Sequence, residues 1–134
     1  MTIKSLLAPN KFAIFLAVVW TLFITYLSLT TSTQQPQTFE NEDKIVHFTF
    51  YFGFVLLWYR YLVFRNSNLL NNKITLVIIS IVFGIAIEFA QKYFTTTRQA
   101  DIWDVIANSI GSLVGIFVAA NIFKTDFKSN RFEK

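Results

Sequence analysis

A chain of 134 residues has room for one domain. It is 54% apolar and 18% aromatic, with only 15% charged residues, and its mean hydropathy is +0.47. These values argue against an ordinary soluble core. The absence of cysteine excludes disulfides and thiol catalysis. The net charge of +4 comes from basic residues that flank apolar stretches, a pattern of helix anchoring. No nucleic-acid partner is expected.

In chain order, the first apolar stretch is Phe12–Leu29, preceded by Lys4 and Lys11. It exceeds the ~7–15 apolar residues of a signal peptide, and no A-x-A site follows, so it reads as a retained helix. Segment 30–43, "TTSTQQPQTFENED", is polar, holds Pro36 and reads as the longest loop. The second stretch is Ile45–Phe64, and a basic turn, "RNSNLLNNK", follows it. The third begins at Ile74 and extends through Phe94. "KYFTTTRQAD" joins it to the fourth, Ile102–Phe123, and the tail 124–134 is polar and mostly basic. Each stretch approaches the ~20 residues that cross ~30 Å of hydrocarbon as a helix. The expected architecture is therefore one all-α membrane domain over residues 1–134. It is a bundle of four transmembrane helices at about 12–29, 45–64, 74–94 and 102–123.

Orientation follows from lysine and arginine. Four crossings put Lys4, Lys11, Arg60, Arg65, Lys73, Lys124, Lys128, Arg131 and Lys134 on one side, against Lys44, Lys92 and Arg98 on the other. Nine against three predicts both termini in the cytoplasm. Arg60 and Lys73, at helix ends, are expected to snorkel to that face.

The chemically capable side chains then gather at the outer end. Asp43, His47 and Tyr51 follow an i, i+4, i+8 pattern, one helical face. Glu88 and Gln91 are i, i+3 neighbours, and Gly84 continues their stripe. Asp101, Asp104, Asn108, Gly111 and Gly115 form a seam on the fourth helix, polar above and glycine below. An ionisable group in hydrocarbon costs ~2.5–3.5 kcal/mol or more at a span centre, so these faces are expected to turn inward toward one another.

Simpler roles are also open. Gly111 and Gly115 suit close helix packing, and Asn108 an interhelical hydrogen bond. Asp43 suits an N-cap, Lys44 an interfacial anchor and Tyr51 an interfacial aromatic. Arg98 suits an ion pair with the acids. Trp20, Trp58 and Trp103 read as anchors at the membrane–water boundary. Glu88, between "GIAI" and "FA", requires a partner.

"DKIVHFTFYFGF", "EFAQ" and "RQADIWDVIANSIGSLVG", in this order, resemble the VanZ-like family, named for a teicoplanin-resistance membrane protein. The matching positions are Asp43, Lys44, His47, Phe48 and Tyr51, then Glu88 and Gln91, then Arg98, Asp101, Asp104, Asn108, Gly111 and Gly115. The resemblance spans about residues 12–123. It implies a multi-pass protein of the bacterial cytoplasmic membrane linked to lipoglycopeptide resistance, without a settled biochemical activity.

Three functions fit these residues. In the first, Asp43, Lys44, His47, Tyr51, Glu88, Gln91, Arg98, Asp101, Asp104 and Asn108 line an outer pocket. It binds membrane lipids, a lipid-linked cell-wall precursor or an amphiphilic drug. The second is an intramembrane enzyme with His47, Glu88 and Asp104 as catalytic candidates. The third is a small proton- or ion-coupled transporter. No organic cofactor is expected. A divalent cation suits the donors His47, Glu88, Asp101 and Asp104, whose oxygen-rich set favours Mg²⁺, Mn²⁺ or Ca²⁺ over zinc.

Overall fold

The computed structural model describes residues 10–30, 41–64, 69–96 and 99–123. They form four helices: α1 (Asn10–Leu29), α2 (Glu42–Phe64), α3 (Leu69–Phe94) and α4 (Ile102–Ile122). All four are long and apolar enough to cross a membrane. Two starts differ from the sequence expectation. α2 begins at Glu42 instead of residue 45, and α3 begins at Leu69 instead of residue 74. The apolar runs mark only what suits hydrocarbon, whereas a helix continues wherever its end groups meet water or a side chain. The capping role expected of Asp43 is thereby corrected. Asp43 lies inside the first turn of α2 beside Glu42, where a carboxylate faces the positive end of the helix dipole. Asn41 precedes the helix at φ 67, a left-handed conformation that asparagine tolerates.

The helices run up and down, so the C-terminal ends of α1 and α3 meet the N-terminal ends of α2 and α4. Gln91 on α3 donates to the Ser28 carbonyl of α1 (3.0 Å), and the Asp101 amide at the head of α4 donates to Glu88 Oε2 of α3 (3.2 Å). The distribution of polarity is inverted relative to a soluble protein. Phe15, Leu22, Val82, Phe89 and Phe117 face outward, while Ser28, Ser80, His47, Glu88, Gln91, Asp104 and Asn108 are buried. Lipid tolerates the first group, and the second is shielded from it.

α2 and α4 are the most intimately packed pair. Gly111 and Gly115 lie against the main chain of α2 at Phe48 and Phe52. A Cβ on Gly115 would sit 2.9 Å from the Phe52 carbonyl oxygen, so the helices approach this closely only because both residues lack one. The expected packing role of both glycines is met. Below them the core consists of Val55, Tyr59, Val63, Leu76 and Ala119, with Phe54 stacked on Phe83 at 5.4 Å.

α1 is attached through two of the three tryptophans read as boundary anchors. Trp20 Nε1 donates to the Phe50 carbonyl (3.0 Å) and Trp58 Nε1 to Thr21 Oγ1 (3.1 Å), both between α1 and α2. The Trp20 ring lies over Gly53, whose Cβ would come within 2.9 Å of it. An indole N–H inside a lipid-exposed bundle needs an acceptor, and a neighbouring helix supplies one. Trp103, 60% exposed near the head of α4, remains consistent with an anchor.

Candidate functional site

The polar end of the bundle is built by three helices at one level. His47 lies a turn and a half into α2, Glu88 a similar distance from the end of α3, and Asp104 and Asn108 in the first two turns of α4. Asp101 sets the start of α4. Its φ of −118 and ψ of 125 are those of an N-cap, and its Oδ1 accepts from the Trp103 amide (2.9 Å). Helical periodicity then carries Asp104 and Asn108 inward from Asp101.

His47 is the hub, only 4% exposed. Its Nδ1 lies 3.1 Å from Asn108 Oδ1 and 3.8 Å from Glu88 Oε1, and its Nε2 lies 3.5 Å from Asp104 Oδ2. With the amide oxygen of Asn108 assigned to that side, Nδ1 is the donor. In the neutral ring Nε2 is then the nitrogen with a lone pair, facing a carboxylate. Buried polar atoms without hydrogen-bond partners surround this hub: Asp104 Oδ1, Asn108 Nδ2 and the Tyr51 hydroxyl. Tyr51 is 1% exposed and packs with Asn108 against Gly84. A Cβ on Gly84 would sit 3.1 Å from Asn108 Nδ2, so the glycine leaves room for the amide.

A second layer lies nearer the surface. Lys44 Nζ is 3.2 Å from Asp43 Oδ2 and 3.7 Å from Asp101 Oδ2, joining the heads of α2 and α4. The side chain expected to anchor at the interface thus pairs with acids. Arg98, to which that pairing was ascribed from sequence, lies outside the described residues. Gln91, buried at 2% exposure, is turned to Ser28 on α1.

Among the described residues, two groups offer donor atoms within 4.8 Å of one another: His47, Glu88 and Asp104, and Asp43, Asp101 and Asp104. Asp104 belongs to both. The four metal candidates named from sequence are thus divided, with Asp101 in the outer, lysine-bearing group.

Ser80 and Ser112 were missed. Their hydroxyls share a hydrogen bond of 2.7 Å, and Ser112 also donates to the Asn108 carbonyl (2.8 Å). Ser112 stands four residues after Asn108 and so on the same seam, which was the available signal.

Four membrane-length helices with a buried ionisable cluster at one end define a multi-pass helical membrane protein. The chain belongs to the VanZ/LLP1 family, whose model matches residues 10–124. It is also similar to uncharacterized protein C11E3.10 of the fission yeast Schizosaccharomyces pombe, with 27% identity over 92 residues. That match covers 69% of this chain and 55% of the yeast protein, so the similarity spans about half of the relative's length. No solved structure matches the chain.

Proposed function

We propose that this protein binds the polar head of an amphiphilic or lipid-linked envelope ligand in the pocket around His47. In this reading the pocket opens at the outer face of a bacterial cytoplasmic membrane and both termini lie inside. Ligand binding there alters lipoglycopeptide (teicoplanin) susceptibility. The observation that carries the reading is the buried contact of His47 with Glu88, Asp104 and Asn108 at one end of a lipid-exposed bundle. Such groups are costly in a membrane and are kept where they meet a partner, water or a ligand. Membership of the VanZ/LLP1 family supports the membrane part of the reading, and resemblance to the teicoplanin-resistance protein supports the part concerning the drug. Orientation rests on the lysine and arginine asymmetry.

A transporter reading is less well supported. The polar path runs from Asp104 through His47 and Asn108 to Ser112 and Ser80. Roughly one to two turns further on it meets the buried apolar layer of Val55, Tyr59, Leu76 and Ala119. An enzymatic reading is favoured by one observation, the imidazole held beside Asp104 and Glu88, the pairing of a general base with an orienting acid.

The test is the lipid content of protein purified in mild detergent. The wild-type chain should carry one lipid class enriched over the host membrane. His47→Ala and Asp104→Asn, at equal folded yield, should lose that enrichment. Identical lipid profiles in all three proteins would overturn the reading.

A further inference from the structure

The pocket has a chemical difficulty. The heads of most envelope amphiphiles carry phosphate, yet four carboxylates (Asp43, Glu88, Asp101 and Asp104) gather here. Lys44 is engaged by two of them. An anion entering such a site meets like charge in a medium of low dielectric constant, where repulsion is weakly screened.

The inner group resolves this. We propose that His47, Glu88 and Asp104 hold a divalent transition-metal cation, and that its open coordination positions bind the phosphate or pyrophosphate head of the ligand. This rests on the pocket reading given above and adds the ligand's chemical class.

Three features support the site. One donor atom from each residue lies within 4.8 Å of the others, a spread that one ion can span. All three residues are buried and come from three different helices, so their positions are fixed by the packing of the bundle. The imidazole is also oriented as a ligand. With Nδ1 donating to Asn108 Oδ1 at 3.1 Å, Nε2, 3.5 Å from Asp104 Oδ2, is the nitrogen left to take an ion. Metal-binding histidines characteristically donate their other N–H to such an acceptor, which fixes the tautomer.

A second, independent observation points the same way. Asp104 Oδ1 is buried without a hydrogen-bond partner, and the fully buried Tyr51 hydroxyl beside the cluster is also unpartnered. Buried polar atoms are nearly always satisfied. A cation bound by Asp104, with its water or a phosphate oxygen reaching the tyrosine, supplies those partners.

One nitrogen and two carboxylates suit Mn²⁺ among the divalent ions. Imidazole is a poor ligand for Mg²⁺ and Ca²⁺, and structural zinc sites hold more nitrogen or sulfur. Three protein ligands leave positions open, as in sites that act on a bound molecule. Asp43, Lys44 and Asp101 form the rim, where the two acids hold the lysine.

The experiment uses the full chain in mild detergent, stripped with a chelator and titrated with Mn²⁺ followed by electron paramagnetic resonance. The wild-type protein should take up one ion per chain and gain thermal stability with Mn²⁺ concentration, as a ligand of the folded state must. Asp104→Asn and His47→Ala should lose the bound-ion spectrum. Asn108→Ala, which removes the orienting amide and none of the three ligands, should bind Mn²⁺ about 10- to 100-fold more weakly. Thr49→Ala, on an exposed face of α2, should bind as the parent does.

Farnesyl pyrophosphate should then bind only to the Mn²⁺-loaded protein, and inorganic pyrophosphate more weakly because it has no chain to place in the lipid. Wild-type protein without stoichiometric uptake, or uptake unchanged in Asp104→Asn and Asn108→Ala, overturns the cation site. If the lipid enrichment described above persists in that case, the pocket reading survives alone. Uptake as expected with equal affinity for the two pyrophosphates identifies a free anion and overturns the amphiphile. Farnesyl pyrophosphate binding that is independent of Mn²⁺ overturns the metal's role in recognition.

Discussion

Replacing Gly111 with alanine places a methyl group against the main chain of α2 at Phe48. No rotamer change relieves the contact, because the obstacle is backbone, and α2 and α4 must move apart. Gly115→Ala is the milder neighbour. Its Cβ would lie 2.9 Å from the Phe52 carbonyl oxygen, and reaching the 3.4 Å of ordinary contact takes a shift of 0.5 Å. Gly111→Ala needs more than that, and it acts at the residue next to His47. Overpacking of this kind costs about 1–3 kcal/mol, or about 5- to 150-fold in the folded-to-unfolded ratio. A constellation of binding groups tolerates displacements of about 0.5 Å, so the stronger substitution should also pull His47 away from Asp104 and Asn108. The assay is equilibrium unfolding in mixed micelles, with ligand binding measured on the folded fraction. Gly111→Ala should lie at the upper end of the range and lose binding, while Gly115→Ala should cost less and retain part of it. A Gly111→Ala protein as stable as the parent would refute the close approach of α2 and α4.

Three other outcomes are expected. Single cysteines at Gln37 and Thr96 should react with an impermeant maleimide from outside intact cells and one at Ser129 should not; the reverse pattern refutes the proposed orientation. Ser80→Ala should cost only about 0.6 kcal/mol, the mean for interhelical hydrogen bonds in a membrane, because Ser112 keeps the Asn108 carbonyl as a partner; a loss of several times that amount in micelle unfolding would show a larger network. Lys44→Gln should change stability by no more than about 1 kcal/mol, since its ion pairs are partly exposed. Lys44→Glu should cost more by adding another acid, and the gap between the two should narrow with added salt; a salt-independent gap would contradict an electrostatic cause.

Much of the site was legible because a helix converts sequence spacing into geometry. The i, i+4, i+8 run of Asp43, His47 and Tyr51 and the seam from Asp101 to Gly115 fixed which residues share a face. The cost of charge in lipid fixed that His47, Glu88 and Asp104 turn inward. What spacing leaves open is which face meets which helix. The glycine seam foretold a close neighbour for α4, but nothing local to it specifies α2, which is not adjacent in the chain. The same gap hid the roles of Trp20 and Trp58. Their acceptors, the Phe50 carbonyl and Thr21, lie 30 and 37 residues away in sequence. The ion pair of Lys44 with Asp101 was hidden in the same way, because Asp101 becomes its neighbour only when α2 and α4 pack.

The most direct measurement is a double-mutant cycle between His47→Ala and Asp104→Asn, read by unfolding free energy and by retention of the co-purified lipid. Each single change leaves the other buried group without its counterpart across the 3.5 Å contact. Groups that share one site should therefore show a coupling of about 0.5–3 kcal/mol, with the double variant less destabilised than the sum of the singles. Lipid retention should not return in the double variant, because the contacts proposed for the ligand are gone. Additivity within about 0.3–0.5 kcal/mol, the behaviour of independent positions, together with lipid retained in the double variant, would contradict a single pocket organised around His47.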